Sequence, residues 1–587
     1  MPEFENAAIA RQLELTADLL EVGGVDKYRF LSYRKAANAI RAWPEQLSSL
    51  AEEGRLTEVP GVGAKLSASI EELLHHGSFP ELEQAKTAFP PGVVEVMQIP
   101  GVGPKRARQF FDSLGVDSPH ALGEAIESGR LVSLGGMGAK TVENIRRGLE
   151  SYLRHQGRML LADALPLAER IAGELVDAGA VEQAVPAGSL RRMQETIGDV
   201  DIVASSEDRG AAMGAVRALS EVDRVIGSGE TKTSVLTTGG IQVDVRVVGS
   251  GQFGAALQYF TGSKEHNVHL RERAKKRGLK VNEYGVFRVA DDGSEGDRIA
   301  GATEEEVYRA LGIEQVPPPE IRHDTGEIEA AEEGTLPRLL ERADIRGDFH
   351  AHTTSTDAHS SLVENRAMAA ELGYEYIGVS DHAYDLRMVG GLSVEELEEQ
   401  WAEVDALNAD GSGAPYILKG IELNIGPGGR VDYEPEVLGR FDYCIASLHS
   451  GWNESADEVT ARLLSAMDNP YVDIIGHPSG RILGRRDPLP LDIDRVFAKA
   501  AETGTIMELN AYPDRLDLND VHLRRALGHG LKIAIGTDAH RAEHMRYMRY
   551  GVATARRGWV VADACLNAQP LDTVRTWLRS SRQGRVR

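Results

Sequence analysis

Cysteine is nearly missing from this chain: its 587 residues include only Cys444 and Cys565. That excludes a disulfide framework and a cysteine-rich zinc site. Long apolar runs are missing too. No stretch reaches the roughly eighteen consecutive apolar residues that a membrane helix needs, so no membrane partner is expected. The opening MPEFENAAIARQLELT lacks the basic start and apolar core of a secretion signal, and the expected location is the cytoplasm. Positive charge is in deficit, with a formal net charge of −25. This argues against nucleic-acid binding, which wants lysine and arginine for phosphates, but a local basic face is enough. KEHNVHLRERAKKRGLK, residues 264–280, is such a face, and the acid is concentrated around 327–341 and 395–403.

At this length several domains are expected, and 42% hydrophobic with 26% charged residues suits globular ones. The most informative stretch is GSLRRMQETIGDVDIV, residues 188–203. Asp199 and Asp201 are two apart in an apolar strand-like run, so they share a face and converge. Asp244, in IQVDVRVV, supplies a third carboxylate from another strand. Such a cluster suits one or two hard cations and in-line nucleotidyl transfer. Gly188 permits close approach of the backbone to a phosphate, and Ser189 and Arg192 can donate to its oxygens. An Asp-Val-Asp run also suits a solvated strand end. The third carboxylate and the Gly-Ser spacing favour the cation site.

Upstream, VPGVGAKLSASI, IPGVGPKRARQF and LGGMGAKTVENI repeat one pattern: an apolar residue, a Gly-x-Gly hairpin, a lysine and an amphipathic helix. This is a helix-hairpin-helix element. Its glycines allow the turn, and amides at the second helix's start can bind a DNA backbone phosphate. The candidate contacts are Gly61, Gly63, Lys65, Gly101, Gly103 and Lys105. A Gly-rich interhelical turn without a ligand is the bland alternative, which the repetition disfavours.

Downstream of about 339, apolar strands end on ligand-type residues: His350 and His352, Asp381-His382, Glu422, His449, His477, and Asp538 with His540. Helical segments lie between them. Strand–helix units closing into a barrel would bring these strand ends to one rim. Imidazoles and carboxylates without thiolates suit Zn²⁺, Mn²⁺ or Fe²⁺, and the number of ligands suits two or three ions. Clustered ions of this kind hydrolyse phosphoesters. His359, His522, His529 and His544 read as ordinary hydrogen-bonded residues. The stretch 313–344, with three consecutive prolines and many glutamates, reads as an extended charged spacer.

Residues 1–316 resemble the family X DNA polymerases, the class of DNA polymerase β, through Gly188-Ser189, Asp199, Asp201, Asp244, Tyr259-Phe260-Thr261-Gly262-Ser263, Asn267, Arg271 and Asn282-Glu283-Tyr284 in order. The resemblance implies that Asp199 and Asp201 bind two Mg²⁺ or Mn²⁺ ions and that Asp244 binds the catalytic one. It implies that Ser189 and Arg192 grip the triphosphate and that Tyr259 crowds the sugar 2′ position. Phe260 and Gly262 belong to the same nucleotide site, and Asn267 and Arg271 would face the nascent pair and template. It also implies 5′-phosphate binding by Lys65. Ser69 occupies the position of the lyase lysine, so lyase activity is in doubt; Lys35 lies nearby.

The C-terminal region resembles the PHP (polymerase and histidinol phosphatase) domain. That resemblance adds Asp357 to the ligand set His350, His352, His382, Glu422, His449, His477, Asp538 and His540. Together the two resemblances imply the bacterial-type family X polymerases. The expected fold is multidomain. All-α helix-hairpin-helix regions span 1–85 and 86–155, an α+β nucleotidyltransferase palm 156–254, and a thumb 255–316. A linker, 317–340, leads to an α/β PHP domain, 341–587, built as a distorted β/α barrel. The expected function is short-gap filling on gapped or primed, 5′-phosphorylated DNA with dNTPs, by a monomer, joined to a metal-dependent 3′→5′ exonuclease that could also clean 3′ ends or cut abasic sites. Two alternatives stay open: a DNA-docked phosphoesterase with a weak polymerase, and a PHP domain that is purely structural.

Overall fold

The structure is a computed structural model describing residues 6–41, 43, 46–155, 157–290, 292–386 and 389–586. The chain divides into two compact units, 1–156 with 484–487, and 157–483 with 488–587. Among the described residues no helix is long and apolar enough to cross a membrane.

The first unit is all helix, from Asn6–Val22 to Ala139–His155. Each Gly-x-Gly hairpin has the same construction. The middle residue, Val62, Val102 or Met137, is at most 4% exposed and plugs the core. The glycine before it has φ of 85°, 86° or 82°, a conformation that side-chain-bearing residues avoid. The second glycine caps helices Ala64–His76 and Pro104–Leu114 in the first two copies. Burial of the plug turns both glycines and the following lysine outward.

In the second unit, a five-stranded sheet runs in the order Gln183–Pro186, Asp199–Ser205, Gln242–Val248, Lys232–Thr237, Val222–Ser228. Asp199–Ser205 and Gln242–Val248 are parallel, and Asp201 stands opposite Asp244. Alternate residues Val200, Ile202, Val243 and Val245 are fully or almost fully buried, which turns the carboxylates to the other face. A thumb follows: helices Phe253–Thr261 and Lys264–Lys276, a three-stranded antiparallel sheet, and helix Glu304–Ala310.

The expected spacer is not extended. Residues 319–321 form a turn, Glu327–Glu333 is a helix, and Ile328 and Ala331 join the thumb's apolar cluster. Arg322 and Glu327 are both 0% exposed. The prolines initiate a turn here, and the apolar residues among the glutamates supply a helix face to bury.

The C-terminal region has two parallel sheets. One contains Gly347–Asp348, Tyr376–Val379 and Tyr416–Lys419; the other contains Glu422–Asn424, Ile445–Ser447, Ile474–Gly476, Ile506–Asn510 and Ile533–Gly536. Their strands are buried on both faces, as helix-covered parallel strands are. Continuous ladders do not close them into the expected barrel. Single bridges, His382 with Glu422 and Ala351 with Ala539, join them at the strand ends. Below the second bridge the side chain of Asn567 fills the seam. Its amide donates to the carbonyls of Gly347 and Ile535 at 2.8 Å each and accepts from the Ile535 N–H at 2.6 Å.

Candidate active sites

Asp199, Asp201 and Asp244 each offer an oxygen within 4.8 Å of the others, a spacing that can hold a metal ion. Burial, with Asp199 and Asp244 alongside, pushes the Asp201 carboxyl up to about 6. Burial opposes ionisation of Asp244 as well. Hydrogen bonds from Lys232, Ser234 and Gln242 outweigh it and lower its pKa. Lys232 Nζ lies 2.6 Å from Asp244 Oδ2. Three crowded carboxylates, with Lys232 and Arg246 as cationic neighbours, form a site of the kind a divalent cation stabilises.

Gly188 opens the short helix Gly188–Arg191 with φ 59°, and a Cβ there would fall 2.5 Å from Asp201 Oδ2. Only glycine brings this backbone so near the carboxylates. Ser189 is half-buried. Arg192 donates to the Thr261 carbonyl, while its buried Nε has no hydrogen-bond partner among the described residues. Arg192 also lies against Gly262, whose φ is 72°. The structure therefore brings Arg192 and Gly262 together, with Ser189 one helical turn before Arg192. Tyr259 and Phe260 meet edge-on at the end of helix Phe253–Thr261, with the Arg246 guanidinium 4.3 Å from the Phe260 centroid. Asn267 donates to the Tyr259 carbonyl at 2.7 Å and accepts from Gln258 at 2.8 Å, which fixes the end of that helix. Arg271 is exposed on helix Lys264–Lys276.

Neither Arg191 nor Glu304 was singled out by the sequence, and both are structural keys. Arg191 donates to Thr261 Oγ1 at 2.7 Å and grips Glu304 with two bonds, at 3.0 and 2.6 Å. Glu304 also receives Arg322 at 2.6 Å. Burial would raise the Glu304 carboxyl; the Arg322 and Arg191 guanidinium groups hold it at about 2 instead.

In the first unit, Lys65 is exposed at its hairpin and paired with Glu81 at 2.9 Å. The same carboxylate takes the Tyr33 hydroxyl at 2.8 Å and the Arg29 Nε at 2.7 Å. Ser69 Oγ donates to the Lys65 carbonyl at 3.2 Å, and Lys35 packs beside Gly61. Gly101, Gly103 and Lys105 are exposed on the second hairpin.

The strand ends of the C-terminal region converge as expected. Three groups can each hold an ion: His350, His352 and Asp538; His352, Asp357, His382 and His540; and His382, Glu422 and His449. His477 adjoins them through its Nε2, 3.0 Å from Glu422 Oε1. The buried atoms His350 Nε2, His352 Nδ1, Asp357 Oδ1 and His477 Nδ1 have no hydrogen-bond partner among the described residues. Unmatched lone pairs buried at this density fit a metal cluster. His477 and Asp538 have φ of 24° and 53°, strained conformations held where the surroundings over-determine them. Burial opposes ionisation of Glu422, yet His449, His350 and His382 keep it well below the usual carboxylate range.

Asp381 is not part of any of these groups. Its carboxylate is saturated by the Thr353 amide, the Thr353 and Thr356 hydroxyls and Gln400, at 2.6–2.7 Å. The sequence reading missed the residues that orient the ligands. Glu508 accepts from His350 Nδ1 at 2.6 Å and from the His477 amide at 2.5 Å. Asn424 accepts from His449 Nδ1 at 2.6 Å and donates to Asp432 at 3.0 Å. Both leave the opposite ring nitrogen for a metal. Asn510 donates to Asp538 Oδ2 at 3.1 Å, and Arg515 lies 3.4 Å from the same oxygen. Glu508 and Asn510 carry a readable signal, a carboxylate and an amide inside the apolar run IMELN.

Comparison with known proteins agrees with this geometry. Residues 4–79 match the helix-hairpin-helix domain, 93–151 the SAM-like helix-hairpin-helix tandem, and 256–323 the DNA polymerase beta thumb. The chain is 36% identical over 573 residues, 97% of its own length and 99% of the relative's, to the DNA polymerase/3′-5′ exonuclease PolX of Bacillus subtilis (strain 168). A probable phosphatase of Thermoanaerobacter sp. (strain X514) is 31% identical over 237 residues, 38% of this chain and 89% of that protein. DNA polymerase lambda of Rattus norvegicus is 26% identical over 335 residues, 52% of this chain and 55% of that one. On a match that spans both proteins almost completely, this chain belongs to the PolX family, the bacterial-type family X DNA polymerases with a C-terminal PHP domain.

Proposed function

We propose that this protein is a DNA repair polymerase that fills short gaps at the palm and hydrolyses 3′ ends at the PHP centre. One observation carries the reading: a carboxylate triad beside the Gly188-Ser189 turn, and eight imidazole and carboxylate side chains grouped closely enough to hold metal ions, with His477 adjoining them, occur in one folded unit. In the palm, Asp199, Asp201 and Asp244 hold Mg²⁺ or Mn²⁺, which supplies charge neutralisation for nucleotidyl transfer. Gly188, Ser189 and Arg192 grip the triphosphate; Tyr259, Phe260 and Gly262 shape the sugar pocket; Asn267 and Arg271 face the pair being formed. Gly61, Gly63, Lys65, Gly101, Gly103 and Lys105 bind DNA backbone phosphates, with Lys65 at the gap's 5′-phosphate. The PHP ligands hold two or three ions, for which Mn²⁺, Zn²⁺ and Fe²⁺ are all chemically suited. The protein acts as a monomer in the cytoplasm, without a lyase step at Ser69.

The test is a gapped, 5′-phosphorylated duplex incubated with and without dNTPs, in Mg²⁺ and then Mn²⁺. Asp199→Ala should abolish extension and leave 3′ degradation; His350→Ala should do the reverse. Loss of both activities from either change would refute two separate centres. If the unaltered chain extends primers but removes no 3′ nucleotide in Mn²⁺, the PHP domain is structural.

A further inference from the structure

The strand Ile506–Asn510 carries Glu508 and Asn510 into the hydrolase centre, and the loop after it, 511–518, returns with Arg515. Asn510 and Arg515 both address Asp538 Oδ2, at 3.1 and 3.4 Å. Arg515 keeps 23% of its side chain exposed, so a phosphoryl oxygen can reach its planar fork.

The loop's own bonds close it at Asn510 and Asp517, and the Arg515 and Leu516 amides donate to the Tyr512 carbonyl at 2.8 and 3.1 Å. Leu516, an aliphatic residue, has φ 43°, a conformation that costs energy unless the surroundings impose it. Part of what imposes it comes from the palm, outside the PHP domain. The Leu516 side chain is fully buried and belongs to the palm's apolar cluster. Its carbonyl and that of Arg515 are both gripped by Arg481, the latter at 2.8 Å from Nε. Arg481 is 7% exposed, and its remaining donors meet the palm residue Glu195 as a fork, at 3.1 and 2.6 Å. Glu195 is itself set by the palm backbone, its carbonyl accepting from the Leu161 amide at 3.0 Å. Without Glu195, Arg481 would be a buried unpaired charge and its hold on the loop would loosen.

We infer that Glu195 and Arg481 are positioning residues of the hydrolase: together they tie loop 511–518 to the palm and so set Arg515 beside Asp538 and the phosphoryl group being hydrolysed. The palm is thus a structural part of the second active site. The inference rests on the hydrolase reading above.

The test uses the full chain in Mn²⁺, with bis(p-nitrophenyl) phosphate and a single-stranded 3′ end as substrates. Arg481→Lys keeps the charge but cannot serve Glu195 and both carbonyls together. Its kcat should fall about tenfold on both substrates, with bound manganese unchanged and the chain still folded at the assay temperature. Glu195→Gln, which leaves a neutral hydrogen bond and the packing, should reproduce the loss. Because Arg481 acts through Arg515, Arg481→Lys combined with Arg515→Ala should be no slower than Arg515→Ala alone. Unaltered turnover in both single variants, or an additive loss in the double variant, would overturn the inference while leaving the hydrolase reading intact. No turnover by the unaltered chain would remove both.

Discussion

Replacing Glu304 with glutamine isolates one charge in the joint between thumb and palm. The substitution keeps volume and leaves no cavity, so the effect is electrostatic. A carboxyl moved from 4.5 in the open to about 2 in the fold contributes, at about 1.4 kcal/mol per pKa unit, about 3 kcal/mol at neutral pH. An independent route gives a similar size. Removing the carboxylate leaves Arg322, 0% exposed, as a buried cation whose ion-pair partner is lost, a change that typically costs about 3–5 kcal/mol. For a cooperative unit spanning 157–483 and 488–587, at about 2.1 cal/mol/K per residue, about 3 kcal/mol lowers the melting midpoint by roughly 3–4 °C. The sign with pH follows from the lowered carboxyl. Its stabilisation is complete above the unfolded value of 4.5 and is lost as pH falls from there towards 2. Calorimetry of the two proteins should therefore show this gap at pH 7, narrowing below pH 4.5. Because Arg191 ends the helix Gly188–Arg191, two residues beyond Ser189, and also holds Thr261, the KM for dNTP should rise as well. A midpoint shift under 2 °C, or a gap that does not change with pH, would refute the reasoning.

Other consequences can be checked separately. Glu508→Gln should lower 3′ hydrolysis about 10–100-fold in steady-state assays while primer extension persists, because His350 loses its anionic partner and the His477 amide its acceptor. Glu81→Gln should tighten binding to 5′-phosphorylated gaps several-fold in a fluorescence titration, since the carboxylate that now occupies Lys65, Arg29 and Tyr33 competes with phosphate. Chelation should lower the melting midpoint of the second unit, and Mn²⁺ should restore it, as expected where clustered ligands bind metal only in the fold.

What could be read in advance was whatever repeats or sits at a fixed offset. The two-residue spacing of Asp199 and Asp201, the Gly-x-Gly hairpins, and histidines at the ends of apolar strands all express local backbone geometry. The structure places them accordingly: Asp201 opposite Asp244, three hairpins plugged by Val62, Val102 and Met137, and the strand ends gathered at one rim. What escaped depends on partners distant in the chain. Glu304 lies 113 residues from Arg191, and Glu195 lies 286 from Arg481, so no local pattern marks either pair. Segment 317–340 was misread for a related reason. Its composition suits a spacer, but Arg322 and Glu327 are buried because Glu304 and His266 stand ready to pair with them. Asp381 shows the converse: a ligand-type residue at a strand end whose four donors leave it no role at the metal.

The seam at Asn567 has a consequence for how this protein ages. An asparagine amide copies a peptide group, which is how one side chain can stand in for a missing stretch of ladder between Gly347 and Ile535. Deamidation, a hydrolysis that takes up water and releases ammonia, would exchange the amide nitrogen for oxygen. Two carbonyls that now receive hydrogens would then face a carboxylate, at a fully buried position. The wall beneath the metal rim would therefore fail by slow chemistry at one residue, with no change in any ligand.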